Sequence, residues 1–552
     1  MIFKSSIYLI AFLISAIAVN AQRVYPLVAD VTVDSIYKVK AGASKLALDP
    51  ISGRLFYSLQ SGDIYEVYNP ISGAASDSLR YTATNHGITT LQGLFFHDSA
   101  MFVCGNVWSS TTGIGKIVKG ILQPNGTRVW VDVVTTDPYP TASNGGDHGF
   151  AGLCMDPSGS YIYVSSGART HLGEIRSNGG AWPGLREVPL TCHIFRFPIN
   201  TIGLVLANDS ASLHNSGYIF ASGTRNAYDM GWDGNNTMFA IDNCGERDDS
   251  EELNWLVQGK HYGYPWRMGD NDNPLRFSPY DVNTDPLVNH LCGGYIAGWF
   301  ANDPTFSNTP ASTTFMDPIR NYGTVADFYR DSITGNVKNA SDEGTYISSF
   351  TAHRSPLGLV FDRDSILSTP YRGSAFVMSF MPGGDSLGYT PLSPWGSPCP
   401  FVDSSRELLQ MKLTYDSSIS NYRMTTSNVV SGLYLPVDAQ LISNVLYVIE
   451  NGGNLWKITF PLHIGLNEIK NTNTLNIYPN PFRKSSTIKF NNPSKLNYTL
   501  TLYTSYGQLV RTINTIVDDK VEIERSGLAN GIYYLKLERK NQVPLTGKLV
   551  IE

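Results

Sequence analysis

The chain has 552 residues, 16% of them charged and 12% aromatic, with 50 Gly, 30 Pro and a formal net charge of -6. So many turn formers and aromatics, with few Lys-Glu helix patterns, point to an exported all-β protein. The negative balance excludes the basic footprint of a nucleic-acid binder.

At the N-terminus, Lys4 supplies a positive charge, Ile7 to Val19 is mostly apolar, and Val19-Asn20-Ala21 offers small residues for cleavage. Residues 1–21 therefore read as a secretory signal peptide. The apolar run is short for a membrane span, and no later stretch is long and apolar enough. No transmembrane segment is expected in the mature chain, and no cysteine follows the cleavage site to carry a lipid.

Between residues 22 and 462 one short pattern returns six times: KLALDPISGRLFYSL from Lys45, GLFFHDSAMFVCG from Gly93, GLCMDPSGSYIYVSSG from Gly152, DMGWDGNNTMFAIDN from Asp229, GLVFDRDSILSTP from Gly358 and PVDAQLISNVLYVIEN from Pro436. Each is an apolar run, a turn and an aromatic or β-branched strand. A lone hairpin cannot cover its own apolar face, so repetition predicts a six-bladed β-propeller whose loops converge on a central pocket. The segment Asp270 to Tyr346, rich in Asn, Asp, Pro and Thr, is expected to hold the fifth blade and long loops over one face. The six cysteines, Cys104, Cys154, Cys192, Cys244, Cys292 and Cys399, permit disulfides without choosing a pairing, and none lies in C-x-x-C spacing.

Three loops could carry chemistry. Ser143 to Gly149 precedes the third hairpin; its small residues let backbone approach a ligand, and His148 could be a general base oriented by Asp147. The blander alternative is a satisfied loop histidine. Thr224-Arg225-Asn226 precedes the fourth hairpin, where Arg225 either clamps an anionic or carbonyl group or satisfies backbone carbonyls. Asp242 to Asn254 (DNCGERDDSEELN) is dense in oxygen ligands suited to Ca²⁺, or else a solvated acidic turn. A G-x-S-x-G match at residues 384–388 precedes Tyr389-Thr390-Pro391, where no helix can start, so it is not a nucleophile elbow.

Taken together, Asp147-His148 before GLCMDPSGSYIY, Arg225-Asn226, DNCGERDDSEELNWLVQGKHYGYP, the Cys192 to Phe197 strand and SPLGLVFD from Ser355 resemble the glucose/sorbosone dehydrogenase family of soluble quinoproteins. The resemblance implies a six-bladed propeller holding pyrroloquinoline quinone (PQQ) and Ca²⁺ over its channel. It implies His148 as the base that removes a sugar hydroxyl proton, with Asp147 in support. Arg225 would stabilise charge on the quinone, Asn226 would position the cofactor, and carbonyls near Gly245 and Glu246 would bind Ca²⁺. The family's late-blade lysine and arginine pair fall near Met381 and Gly432-Leu433-Tyr434, where this chain has no cation; Arg354, Arg372 and Arg423 are off register.

After a polar linker, residues 463–474, residues 475–552 form short alternating strands with Gly-centred turns, the pattern of a small Ig-like β-sandwich. Tyr478-Pro479-Asn480-Pro481-Phe482, Tyr506-Gly507, Gly531-Ile532-Tyr533 and Lys548-Leu549-Val550-Ile551 resemble the C-terminal sorting domain of the type IX secretion system of Bacteroidota. That resemblance implies handling by the secretion machinery and a place outside the cell or on its surface.

The resulting expectation is an exported sugar dehydrogenase-like propeller that oxidises an aldose or related polyol with PQQ and Ca²⁺. Two other readings stand beside it. One is a non-catalytic surface propeller that binds glycan or protein. The other is a Ca²⁺-dependent hydrolase or lactonase, which would gather Asp147, Asn226 and Glu246 around one ion.

Overall fold

Each of the six sequence repeats is the inner hairpin of a separate β-sheet in the computed structural model, which describes residues 24–71, 73–142, 147–381, 401, 406–463, 475–492, 495–539 and 544–552. The signal peptide, Cys399, the linker after His463 and the G-x-S-x-G match lie outside the described residues. By its contacts the chain divides after His463 into two units.

In the first unit the inner strands are Ala43–Leu48, Thr90–His97, Phe150–Met155, Ala227–Trp232, Pro356–Phe361 and Pro436–Ile442, defining blades 1 to 6. Each inner strand packs on the next, and the sixth packs on the first, so the ring is closed. The outer strand of blade 6 is Thr32–Lys38, from the start of the chain; it pairs with Asn454–Thr459 and joins the two ends of the propeller. Apolar side chains of adjoining sheets fill the gaps between blades. Phe102, Ile117, Phe150, Ile162, Phe195 and Phe197, for example, form one core between blades 2 and 3. Each such side chain contributes roughly 1.5–3 kcal/mol when fully buried.

The repeat explains itself at one position. Lys45, Gly93, Gly152, Asp229, Gly358 and Asp438 occupy the same place in the pattern, beside a bulge in every inner strand. Where the residue is glycine, the next blade comes too close for a side chain. A Cβ on Gly93 would lie 2.6 Å from Leu153, and one on Gly152 would lie 2.9 Å from the Ala227 carbonyl. In blades 1, 4 and 6 the position is charged instead, and the three side chains meet. Lys45 Nζ donates to Asp229 Oδ1 at 2.8 Å and lies 4.4 Å from the centre of the Tyr228 ring. Asp229 Oδ2 accepts the Gly358 amide at 2.9 Å, and Asp438 Oδ2 accepts the Leu46 amide at 2.8 Å. A buried ion cluster thus ties opposite sides of the ring together.

Two expectations are corrected. The fifth blade is Pro356–Phe361, Ala375–Ser379, Glu407–Asp416 and Asn421–Ser431, not part of residues 270–346. That segment adds only the two-residue strand Arg320–Asn321 to this sheet and otherwise holds a short hairpin, Phe328–Arg330 with Val337–Asn339, short helical turns and loops, because its many Asn, Asp and Pro side chains favour turns. Second, the five described cysteines are free thiols, not disulfides.

The second unit is a sandwich of a three-stranded and a four-stranded sheet around Phe482, Ile488, Leu500, Leu535 and Leu549. Its separated sequence motifs are one contact set. Asn480 Nδ2 donates to the Lys548 carbonyl at 2.7 Å, and its Oδ1 accepts the Val550 amide at 2.8 Å. Phe482 continues the pairing: its amide donates to the Val550 carbonyl and its carbonyl accepts the Glu552 amide, both at 3.0 Å. The Tyr533 hydroxyl donates to the Ala529 carbonyl at 3.0 Å.

Candidate functional site

Loops that enter an inner strand and loops that leave the second strand of the same hairpin lie at one end of a propeller. On blades 3 and 4 these loops carry His148, His171, Arg225 and Asn243. His148 is set by backbone pairing: its amide donates to the Ala168 carbonyl at 3.1 Å, and the Ala168 amide donates to the Arg225 carbonyl at 2.6 Å. Gly167 lies between them; a Cβ there would fall 2.4 Å from His148 Cβ, so only glycine lets the three loops meet. From blade 2, the Asn106 side chain holds both the amide and the carbonyl of Phe150 at 2.9 Å, fixing the strand that follows His148.

His148 Nε2 is buried and has no hydrogen-bond partner among the described residues. Burial first, and the nearby Arg225 charge second, push its pKa down to about 3. The ring is therefore neutral at physiological pH, a base with a lone pair to offer. Beside it, both Asp147 carboxylate oxygens accept the Ala142 amide, at 2.8 and 2.9 Å, which shapes the loop that carries His148.

Arg225 is 3% exposed. Its Nη1 donates to the carbonyls of Asn243 and Cys244 at 2.9 and 2.7 Å, and its Nε donates to the carbonyl of His171 at 3.1 Å. Nη2 donates to His171 Nδ1 at 3.3 Å. The guanidinium is thus held by backbone carbonyls, one of the two readings of the sequence, and its charge acts on His148. Asn226 donates from Nδ2 to Asn243 Oδ1 at 3.0 Å, on the same wall.

His171 was missed by sequence reasoning. The usable signal was its place just past a repeat's second strand, the same end of the blade as His148. Its ring stacks on Trp299, centroids 4.2 Å apart, and the Arg176 guanidinium lies 4.2 Å from the centre of the same indole. Trp299 comes from the irregular segment between blades 4 and 5, which accordingly covers this end. Arg169 gathers the loop by donating to the carbonyls of Pro140, Thr141, Arg176, Leu185 and Arg186.

The acidic run is internally paired. Asp242 accepts the amides of Arg225 and Asn226, and Glu251 those of Cys244 and Ser355. Asp248 pairs with Arg330 at 2.6 Å and His353 at 2.7 Å, and Asp249 with Arg247 at 2.6 Å. Glu246 accepts the Gly294 amide, and the Gly245 carbonyl accepts the Cys244 thiol at 3.3 Å. Asp147, Asn226 and Glu246 each engage a protein partner of their own. Because these carboxylates have their charges and hydrogen bonds met by protein, the fold should not need a metal here. Chelator is expected to leave the thermal unfolding midpoint unchanged; a drop of several degrees, the mark of an ion bound only by the folded state, would contradict this. Of the late-blade cations, Arg354 is buried and paired with Glu407.

Comparisons with known proteins follow the same division. Residues 476–552 match the family described as the secretion system C-terminal sorting domain, which marks the chain for export to the cell surface or beyond. No curated protein matches the chain. Among solved structures, it is similar to the PQQ domain of a Coprinopsis cinerea pyranose dehydrogenase, with 12% identity, TM-score 0.46, and coverage of 79% of this chain and 98% of that one. The Escherichia coli soluble aldose sugar dehydrogenase gives 15% identity, TM-score 0.46, and coverage of 78% and 99%. The PQQ-bound aldose sugar dehydrogenase of Streptomyces coelicolor gives 12%, 0.43, 78% and 98%. The propeller assignment rests on the closed ring of inner strands described above.

Proposed function

We propose that this protein is an exported sugar oxidoreductase in which His148 removes the hydroxyl proton of an aldose or related sugar. The single observation that carries this reading is the buried, unpartnered Nε2 of a neutral His148 held beside a rigid guanidinium. A buried nitrogen without a partner is unfavourable, and a ligand hydroxyl would satisfy it.

The residues present suit PQQ at this wall. Arg225 and Arg176 supply positive charge, and Nε2 of His148, Nε2 of His171 and Oγ1 of Thr224 are buried polar atoms without partners among the described residues. In this reading Arg225, Asn226 and Arg176 hold the cofactor, in place of the late-blade cations that the sequence lacks. When bound, the quinone supplies a two-electron, hydride-accepting centre. Carbonyls near Gly245 and Glu246 would hold Ca²⁺, which would supply Lewis-acid polarisation. His148 Nε2 receives the proton from the sugar hydroxyl. Arg225, already desolvated and tied to three carbonyls, stabilises the negative charge that develops, with no reorganisation needed at that moment.

The test is to add PQQ, with and without Ca²⁺, to purified protein and follow dye reduction with a panel of aldoses. Saturable, quinone-dependent turnover is expected. Absence of turnover with every aldose would reject the reading and favour a surface propeller that only binds glycan.

A further inference from the structure

We infer that His171 is a second ligand-binding histidine, donating a hydrogen bond from Nε2–H to an acceptor oxygen of the sugar. The inference rests on the oxidoreductase reading for the role of His148 but on separate geometry for its own.

The proton position follows from the partner. A guanidinium nitrogen can only donate, so the 3.3 Å contact from Arg225 Nη2 makes His171 Nδ1 an acceptor. A neutral ring then carries its proton on Nε2. Neutrality has a cause: burial, then the charge of Arg225, holds the His171 pKa well below its ordinary value. His171 Nε2 is buried and has no partner among the described residues, as is true of His148 Nε2. For His171 that atom is a fixed donor.

The ring is also fixed in place. One face stacks on Trp299 at 4.2 Å with an interplanar angle of 21°, and the His171 carbonyl is tethered by Arg225 Nε at 3.1 Å. Arg176 in turn braces Trp299. Three elements therefore hold His171: the blade 3 loop, Arg225 of blade 4 and the indole of the covering segment. Such support keeps a donor aimed without cost at the moment of binding.

The ligand class follows from a fixed N–H donor at His171. A cyclic aldose carries two oxygens on its reacting carbon: a hydroxyl, and a ring oxygen that has no proton and can only accept. Its lactone product keeps two oxygens there, both acceptors. An open-chain polyol has only one. A ring oxygen, which can only accept, suits the fixed N–H of His171.

Quinone-free protein would be titrated by calorimetry with the aldose it binds most tightly from a panel, the corresponding lactone and the corresponding alditol. His171→Leu should weaken aldose and lactone binding about 10- to 100-fold, the usual effect of an unmet buried hydrogen bond. His171→Gln, which keeps an N–H donor, should stay close to wild type. Imidazole ¹⁵N shifts of the wild-type protein should report the Nε2–H tautomer at His171, a readout that needs no variant to fold. Equal affinity of wild type and His171→Leu, no sugar binding by wild type, or an Nδ1–H tautomer would each overturn the inference. Sugar binding with this pattern but no turnover would reject the oxidoreductase reading and leave the His171 assignment standing.

Discussion

His148→Ala is expected to lower kcat for aldose oxidation by about 10²–10⁴-fold, the range for loss of a positioned general base. The substitution removes the lone pair at Nε2 and leaves the loop intact. The His148 amide still donates to Ala168, and Gly167 still separates the loops. Quinone affinity should change little, because Arg225 keeps its bonds to Asn243, Cys244 and His171. Added imidazole should restore part of the rate, since the cavity left by the ring can admit it. Unchanged kcat with normal folding would mean that the proton goes to another group, and a lost fold would show that the ring is needed for packing. The first of these results would remove the central step of the proposed function.

Lys45→Met is expected to destabilise the propeller by about 3–5 kcal/mol at pH 8, the cost of leaving a buried charge unpaired. Lys45 is 4% exposed and neutralises two carboxylates, Asp229 directly and Asp438 at close range. Burial alone would strip its proton; the two carboxylates outweigh burial and keep it charged. Burial pushes the Asp438 carboxyl up to about 7, with Lys45 pulling it down and Asp229 pushing it up. In the unfolded chain an aspartate titrates near about 3.9. For this group the folded state holds the proton more tightly, so its contribution to stability is full below about 3.9 and is lost as pH rises to about 7. Removing Lys45 raises the folded value further. The deficit of Lys45→Met should therefore be smaller at pH 5 than at pH 8, because Asp438 is protonated at the lower pH. Urea unfolding at both pH values measures this. Lys45→Met combined with Asp229→Asn and Asp438→Asn should recover much of the loss, as neutral groups need no counter-charge. A deficit that does not depend on pH would show that packing, not charge, dominates at this position.

The propeller was legible because a repeat imposes its period on the chain. All six copies begin where an inner strand begins, and the glycine in GLFF, GLCM and GLVF marks the contact between neighbouring blades. The charged replacements Lys45, Asp229 and Asp438 stand at the same place in the pattern. That the three side chains meet could not be read, because they lie far apart along the chain and only ring closure joins them. The fifth blade was placed too early since the strands that build it have ordinary β composition, while the Asn- and Pro-rich stretch before it reads as neither strand nor helix.

The site divides in the same way. His148, Arg225 and Asn226 were named because each sits at a loop-to-strand junction of a recognisable hairpin. The acidic run DNCGERDDSEELN looked like a cation site because composition counts oxygens but not their partners. Arg330 and His353, which engage Asp248, come from a distant segment. His171 and Trp299 were missed for the same reason: one ends a blade 3 loop, the other sits in an irregular segment, and only packing stacks them.

By itself the sequence determined the class of fold, the number of blades, the C-terminal sorting sandwich and the two residues most central to the proposed chemistry. These depend on local periodicity and on short patterns that a hairpin or a turn requires. The tertiary structure alone decided which carboxylates are already paired, which imidazole proton is fixed by Arg225, and how opposite blades are bound through Lys45. Those are properties of distance and burial, and the energy of a charge or a hydrogen bond depends on what surrounds it, not on its neighbours along the chain.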